Sequence, residues 1–129
     1  MTKEYILVVD DQIGVRKLLA EVLEGYGYEI KLACGGEEAL QFVKELYPKL
    51  ILLDMKMPGM SGLEVAAELK QSNYNNPVIL MTAYGELEMV SKAKAYGVEY
   101  YINKPFDVHK MRELVKTVLE TNVATKGST

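Results

Sequence analysis

The chain has 129 residues, a formal net charge of −3, 49% hydrophobic and 26% charged residues, and one cysteine. That length suits one domain with a buried core, and the balance is ordinary for a globular protein. The charge argues against nucleic acid or an anionic membrane as main partner, no apolar run approaches the roughly 20 residues of a bilayer span, and a lone Cys34 excludes a disulfide framework or a cysteine metal site.

The start, MTKEYILVVDD, turns acidic before the apolar core of a signal peptide can form, so the cytoplasm is the expected compartment. YILVV (5–9) reads as a buried strand, and residues 12–25 as an amphipathic helix with Leu19 and Leu23 on its inner face. YEIKLA (28–33) is the second strand, followed by a helix over 36–46 whose Glu37 and Glu38 complement the helix dipole. KLILL (49–53) is the third strand, and Ser61-x-x-Glu64 is a capping box opening a helix over 62–72. PVILM (77–81) and YYIN (100–103) complete the strands, with helices over 86–96 and 107–121. The remainder, 122–129, reads as a polar tail. Gly25, Gly27, Gly35-Gly36, Pro58-Gly59, Gly97 and Pro105 punctuate the pattern. Strict strand–helix alternation with wholly apolar central strands implies a doubly wound α/β fold, a parallel sheet covered on both faces.

On that frame the polar residues converge. Asp10 and Asp11 follow the first strand, Asp54 the third, Thr82 the fourth and Lys104 the fifth. All lie at carboxyl ends of strands, the edge where open α/β sheets bind ligands. Three carboxylates sharing a partly buried site need counter-charge. Lys104 supplies one unit, and an oxygen-only donor set favours Mg²⁺ for the rest. An ionised aspartate beside a divalent cation and an ammonium is a competent nucleophile toward phosphorus, and the Thr82 hydroxyl is available to donate to an attached phosphoryl group.

Asp10-Asp11, Asp54 in LLDMKMPGMSG, Thr82-Ala83 in MTAY and Lys104-Pro105 in NKPF together resemble the receiver domain of two-component response regulators, over nearly the whole chain. The resemblance implies a receiver domain over 1–121 and a flavodoxin-like, five-stranded sheet of order 2-1-3-4-5. It implies that Asp54 is the phosphoacceptor, that Asp11 and Asp54 bind Mg²⁺ directly with Asp10 acting through water, and that the Lys56 carbonyl is a further ligand. Lys104 contacts the phosphoryl group, Thr82 senses it, and Tyr101 occupies the switch-aromatic position. Such a domain is an enzyme only in that it catalyses its own phosphorylation. VVDDQIGVRKLL, LLDMKMPGM, MTAYGELEM and KPFDVHKMRELV, with Gln12, Lys56 and Tyr84, are similar to relay members of the family that serve sporulation initiation. Those take a phosphoryl group from a sensor histidine kinase and pass it to a downstream histidine phosphotransferase. The other reading within the family is the receiver of a chemotaxis-type or transcription-factor regulator, whose output is a surface change. The resemblance further implies a cis Lys104-Pro105 bond.

Other chemistries fit less well. A phosphatase with an aspartate nucleophile wants a second carboxylate two residues on, where this chain has Lys56; a flavin phosphate wants a Gly/Ser/Thr-rich loop after the first strand, where it has DDQIG. Leu18 lies at the rim of the first helix's apolar stripe near Gly14 and Val15. With Gln12, Tyr84, Pro105 and Phe106 it forms the expected partner surface, ordinary packing being the competing account. Tyr101 is a switch or an edge-strand aromatic. Met55 and Met57 pack the loop or soften a partner surface. His109 reads as a solvated residue and Cys34 as a small apolar packer. Lys56 and Tyr84, poor acceptors for a water proton, predict slow loss of the phosphoryl group.

Overall fold

The computed structural model describes residues 4–25, 27–83 and 86–127, with side chains described through 121. Five strands alternate with five helices: β1 (Tyr5–Val9), α1 (Ile13–Leu23), β2 (Glu29–Ala33), α2 (Gly36–Leu46), β3 (Leu50–Asp54), α3 (Gly62–Gln71), β4 (Val78–Thr82), α4 (Leu87–Lys94), β5 (Tyr100–Asn103) and α5 (Val108–Gly127). The strands form one parallel sheet of order β2-β1-β3-β4-β5.

Strand residues alternate between two cores, as a period of two requires. Leu7, Val9, Ile51, Leu53 and Leu80 face Ala39 and Val43 of α2, Val65, Ala66 and Leu69 of α3, and Ala93 of α4. Ile6, Val8, Leu50, Leu52, Ile79 and Met81 face Leu19 and Leu23 of α1 and Met111, Val115 and Val118 of α5. The central strands β3 and β4 are buried along their whole length, whereas the edge strand β5 alternates between half-buried and exposed residues.

The local signals act as the sequence predicts. Ser61 and Glu64 form a reciprocal capping box at the start of α3. Asp107 caps α5, accepting from the amides of His109 (2.7 Å) and Lys110 (3.2 Å). The amides of Lys110 and His109 hold its carboxyl below the usual range. Gly62 opens α3 hard against the end of β3: a Cβ there would collide with the Asp54 carbonyl and lie 2.8 Å from Met55 Cα. The Lys104–Pro105 bond is cis.

Three expectations change. Asp54 and Thr82 are the last residues of β3 and β4 rather than the first beyond them, because both still pair across the sheet, with Met81 and Asn103. The final helix runs to Gly127 instead of stopping at 121, since no proline or earlier glycine breaks it. Cys34 is exposed rather than packed, because it lies just past the end of β2, where the chain leaves the sheet; its amide donates to Glu38 Oε1 at 2.8 Å. Of the two readings open for Met55 and Met57, the structure selects packing: both are buried in the core.

Candidate functional site

β1 and β3 are neighbours, so Asp10 and Asp11 after β1 meet Asp54 at the end of β3. One carboxylate oxygen from each of Asp10, Asp11 and Asp54 lies within 4.8 Å of the others, a group able to hold a metal ion. Asp10 is fully buried, Asp54 nearly so and Asp11 exposed. Asp10 is already committed: Oδ1 accepts from the Gln12 amide at 2.9 Å and Oδ2 from Lys104 Nζ at 2.6 Å. Lys104 Nζ also lies 3.1 Å from Asp54 Oδ1. One ammonium therefore serves two buried carboxylates.

The electrostatics follow. Burial, the Asp10 charge and the Asp11 charge push the Asp54 carboxyl up to about 6 against the opposing pull of Lys104. Burial opposes the charge on Lys104, but its hydrogen bonds to Asp10 and Asp54 outweigh that and raise its value. The site thus holds negative charge that Lys104 does not fully neutralise. The donors are hard oxygens, and the chain's one cysteine and one histidine, Cys34 and His109, are exposed elsewhere. A small divalent cation such as Mg²⁺ fits this donor set and its missing positive charge.

Thr82 is buried at the end of β4, and its hydroxyl lies 3.0 Å from Asn103 Oδ1 and 3.4 Å from the Ile102 carbonyl, both on β5. Tyr101 lies on the same edge strand and is 43% exposed, so it does not cover a helix fully. Beside the carboxylates, Gln12, Val15, Leu18, Lys104, Pro105 and Phe106 line a shallow groove of about 340 Å³. Five predicted surface residues, Gln12, Val15, Leu18, Pro105 and Phe106, are thereby brought together next to the Lys104 ammonium. Gly14 is exposed on α1 near them. Tyr84 lies outside the described residues.

Two features were not foreseen. Arg16 Nη1 donates to the Asp10 carbonyl at 2.8 Å, pinning the β1–α1 loop from below. Glu86, ahead of α4, is a buried carboxylate: Oε1 accepts from the Ala83 amide at 2.5 Å and Oε2 lies 3.6 Å from Lys56 Nζ. Its only sequence signal was an acid at a helix start. Lys56, two residues beyond Asp54, has a side chain 79% exposed that reaches across to this acid.

Residues 6–116 match the family described as Response regulator receiver domain. The chain is 46% identical to Sporulation initiation phosphotransferase F of Bacillus subtilis over 119 residues, covering 92% of this chain and 96% of that protein. It is 36% identical to Regulatory protein AtoC of Escherichia coli, covering 89% of this chain but 25% of that longer protein. Among solved structures, it is similar to chemotaxis protein CheY4 of Vibrio cholerae with 29% identity and a TM-score of 0.82, covering 91% of this chain and 99% of the other.

Proposed function

The chain belongs to the response regulator receiver domain family, and from that membership we propose that it is the phosphoacceptor of a His–Asp phosphorelay of the sporulation-initiation type. A sensor histidine kinase is the donor and the histidine of a downstream phosphotransferase the acceptor. Near full-length similarity to a sporulation initiation phosphotransferase supports this choice within the family. Residues 1–121 are the working unit, with the cytoplasm as its compartment. Among the described residues no helix is long and apolar enough to cross a membrane.

The single observation that carries the chemistry is the convergence of Asp10, Asp11 and Asp54 around the Lys104 ammonium. An Asp54 carboxylate oxygen attacks phosphorus of the donor phosphohistidine. The O–P bond forms, the N–P bond breaks, and its electron pair returns to the imidazole. The carboxylates of Asp10, Asp11 and Asp54, with the Lys56 carbonyl, would hold Mg²⁺, which when bound offsets charge on the phosphoryl oxygens. Lys104 moves from its shared carboxylates toward those oxygens and stabilises them. The Thr82 hydroxyl leaves Asn103 and donates to the phosphoryl group, freeing the end of β5, where Tyr101 serves as the switch residue. Onward transfer is the reverse reaction on a second histidine. Gln12, Gly14, Val15, Leu18, Pro105 and Phe106 form the surface on which donor and acceptor proteins dock, since an apolar groove beside a reactive group excludes water as it aligns the partner.

Incubation with a small-molecule phosphodonor and Mg²⁺, followed by intact mass, tests the reading. One phosphoryl adduct in the wild type and none in Asp54→Asn is expected. No adduct, or one that survives the substitution, overturns it.

A further inference from the structure

The ladder between β3 and β4 stops just past Asp54. The Met55 amide donates to the Met81 carbonyl at 3.1 Å, and the next rung of a parallel ladder in this register runs from the Ala83 amide to the Met55 carbonyl. That rung is missing because both groups are taken. The Met55 carbonyl accepts from the Gly62 amide at 2.8 Å, and the Ala83 amide donates to Glu86 Oε1 at 2.5 Å. A second observation fixes where this N–H points. The Thr82 carbonyl accepts from the Lys104 amide on the β5 side at 2.6 Å, and across a planar trans peptide the following N–H points the opposite way, toward β3. Glu86 therefore places a carboxylate oxygen in the gap between the ends of β3 and β4, one residue past Asp54. Its side chain is 6% exposed, and among the described residues Oε2 accepts no hydrogen bond. A buried charge of this kind is costly, and a neutral amide would accept from Ala83 without that cost.

We propose that Glu86 is a positioning residue that acts as an internal anion: its carboxylate holds the Ala83 amide until a phosphoryl group on Asp54 competes for that donor and expels it. The inference rests on Asp54 being the phosphoacceptor. A phosphoryl group at the end of β3 brings negative charge and strong acceptor oxygens to the mouth of the gap. The N–H that faces it from β4 is the Ala83 amide, and one N–H does not serve two anions at full strength. Two anions side by side in a partly buried place also repel. Glu86 is the one free to move, because Ala83 is exposed at the surface and the phosphoryl group is bonded to β3. The Glu86 carbonyl accepts the Met89 amide at 3.0 Å and the Val90 amide at 3.2 Å, so expelling the side chain loosens the first turn of α4 as well. In the unoccupied site the pair Glu86–Ala83 thus opposes entry of the phosphoryl group and keeps α4 in place.

The test titrates beryllofluoride, a phosphoryl mimic, with Mg²⁺ into the wild type, Glu86→Gln and Glu88→Gln, followed by amide NMR. Glutamine at 86 keeps an acceptor for Ala83 but removes the competing charge. Glu88→Gln removes the same charge from an exposed residue of α4 and controls for the general field. Glu86→Gln should bind the mimic about fivefold tighter or more, the difference between a charged and a neutral hydrogen bond, while Glu88→Gln stays near the wild type. In the wild type the Ala83 amide resonance should shift on binding, and the Met89 and Val90 amides should exchange faster with solvent. This second measurement needs no variant and holds even if Glu86→Gln folds poorly. Equal affinity in the wild type and Glu86→Gln, an equal gain in Glu88→Gln, or an Ala83 amide that does not move overturns the proposal. A mimic that binds Asp54→Asn as tightly as the wild type overturns the phosphoacceptor reading, and this inference with it.

Discussion

Asp54→Asn should make the metal-free protein more stable at neutral pH, although it removes the residue on which the chemistry depends. The Asp54 carboxyl is raised from 3.8 to about 6, first by burial and then by the Asp10 charge. A carboxyl whose folded value exceeds its unfolded value binds its proton more tightly in the native state. Its favourable contribution is complete below the unfolded value and is lost as pH rises through the folded one. At pH 7 the ionised group therefore costs on the order of 3 kcal/mol relative to its neutral form, taking about 1.4 kcal/mol per unit. Asparagine has the same shape and cannot ionise. Lys104 keeps its 2.6 Å contact with Asp10, so no buried ammonium is left unpaired.

Urea unfolding in the presence of a chelator measures the difference. The expected gain is about 2–3 kcal/mol at pH 7, roughly halved near pH 5, and it vanishes only below the unfolded value of 3.8, where the carboxyl is protonated in both states. Added Mg²⁺ should narrow the gap from the other side, since it binds the native wild type and stabilises it by mass action. Equal or lower stability of the variant at pH 7 without metal would show that Asp54 is not electrostatically strained, and the case for a missing cation would fall with it.

Asp11→Ala should weaken Mg²⁺ binding more than Asp10→Ala, because Asp11 is exposed while both oxygens of Asp10 are occupied by Lys104 and the Gln12 amide. Tyrosine fluorescence titration reads both, with roughly 10–100-fold still expected for an indirect ligand; wild-type affinity in Asp11→Ala would refute the assignment. Leu18→Ala and Phe106→Ala should slow labelling by a phosphorylated histidine kinase but leave labelling by a small phosphodonor nearly intact, since both residues line the groove and not the carboxylate cluster. Equal loss with both donors would make them structural residues.

The sheet and its reactive edge were legible because their signals are local and redundant. Apolar runs of four to six residues flanked by glycine, proline and caps fix strands and helices, and alternation then fixes parallel pairing. Once parallel, the ends of β1, β3, β4 and β5 must share an edge, so Asp10, Asp11, Asp54, Thr82 and Lys104 could be grouped without coordinates. Boundaries slipped by a residue at Asp54 and Thr82, because a strand ends where its ladder ends and a polar side chain does not stop a backbone from pairing. Cys34 was misread for a related reason: composition says cysteine is often buried, but this one falls just past the end of β2, where the chain leaves the sheet. Glu86 was invisible because its burial and its pairing are a property of two loops at once. Nothing near residue 86 reports that a lysine two places after Asp54 will reach it, nor that its other oxygen will be fixed by Ala83. The acceptor cluster is written in strand ends, which a sequence displays. The Lys56–Glu86 contact is written in a loop-to-loop pairing of a buried anion with an exposed cation, where the same residues in either loop alone would read as ordinary surface charge.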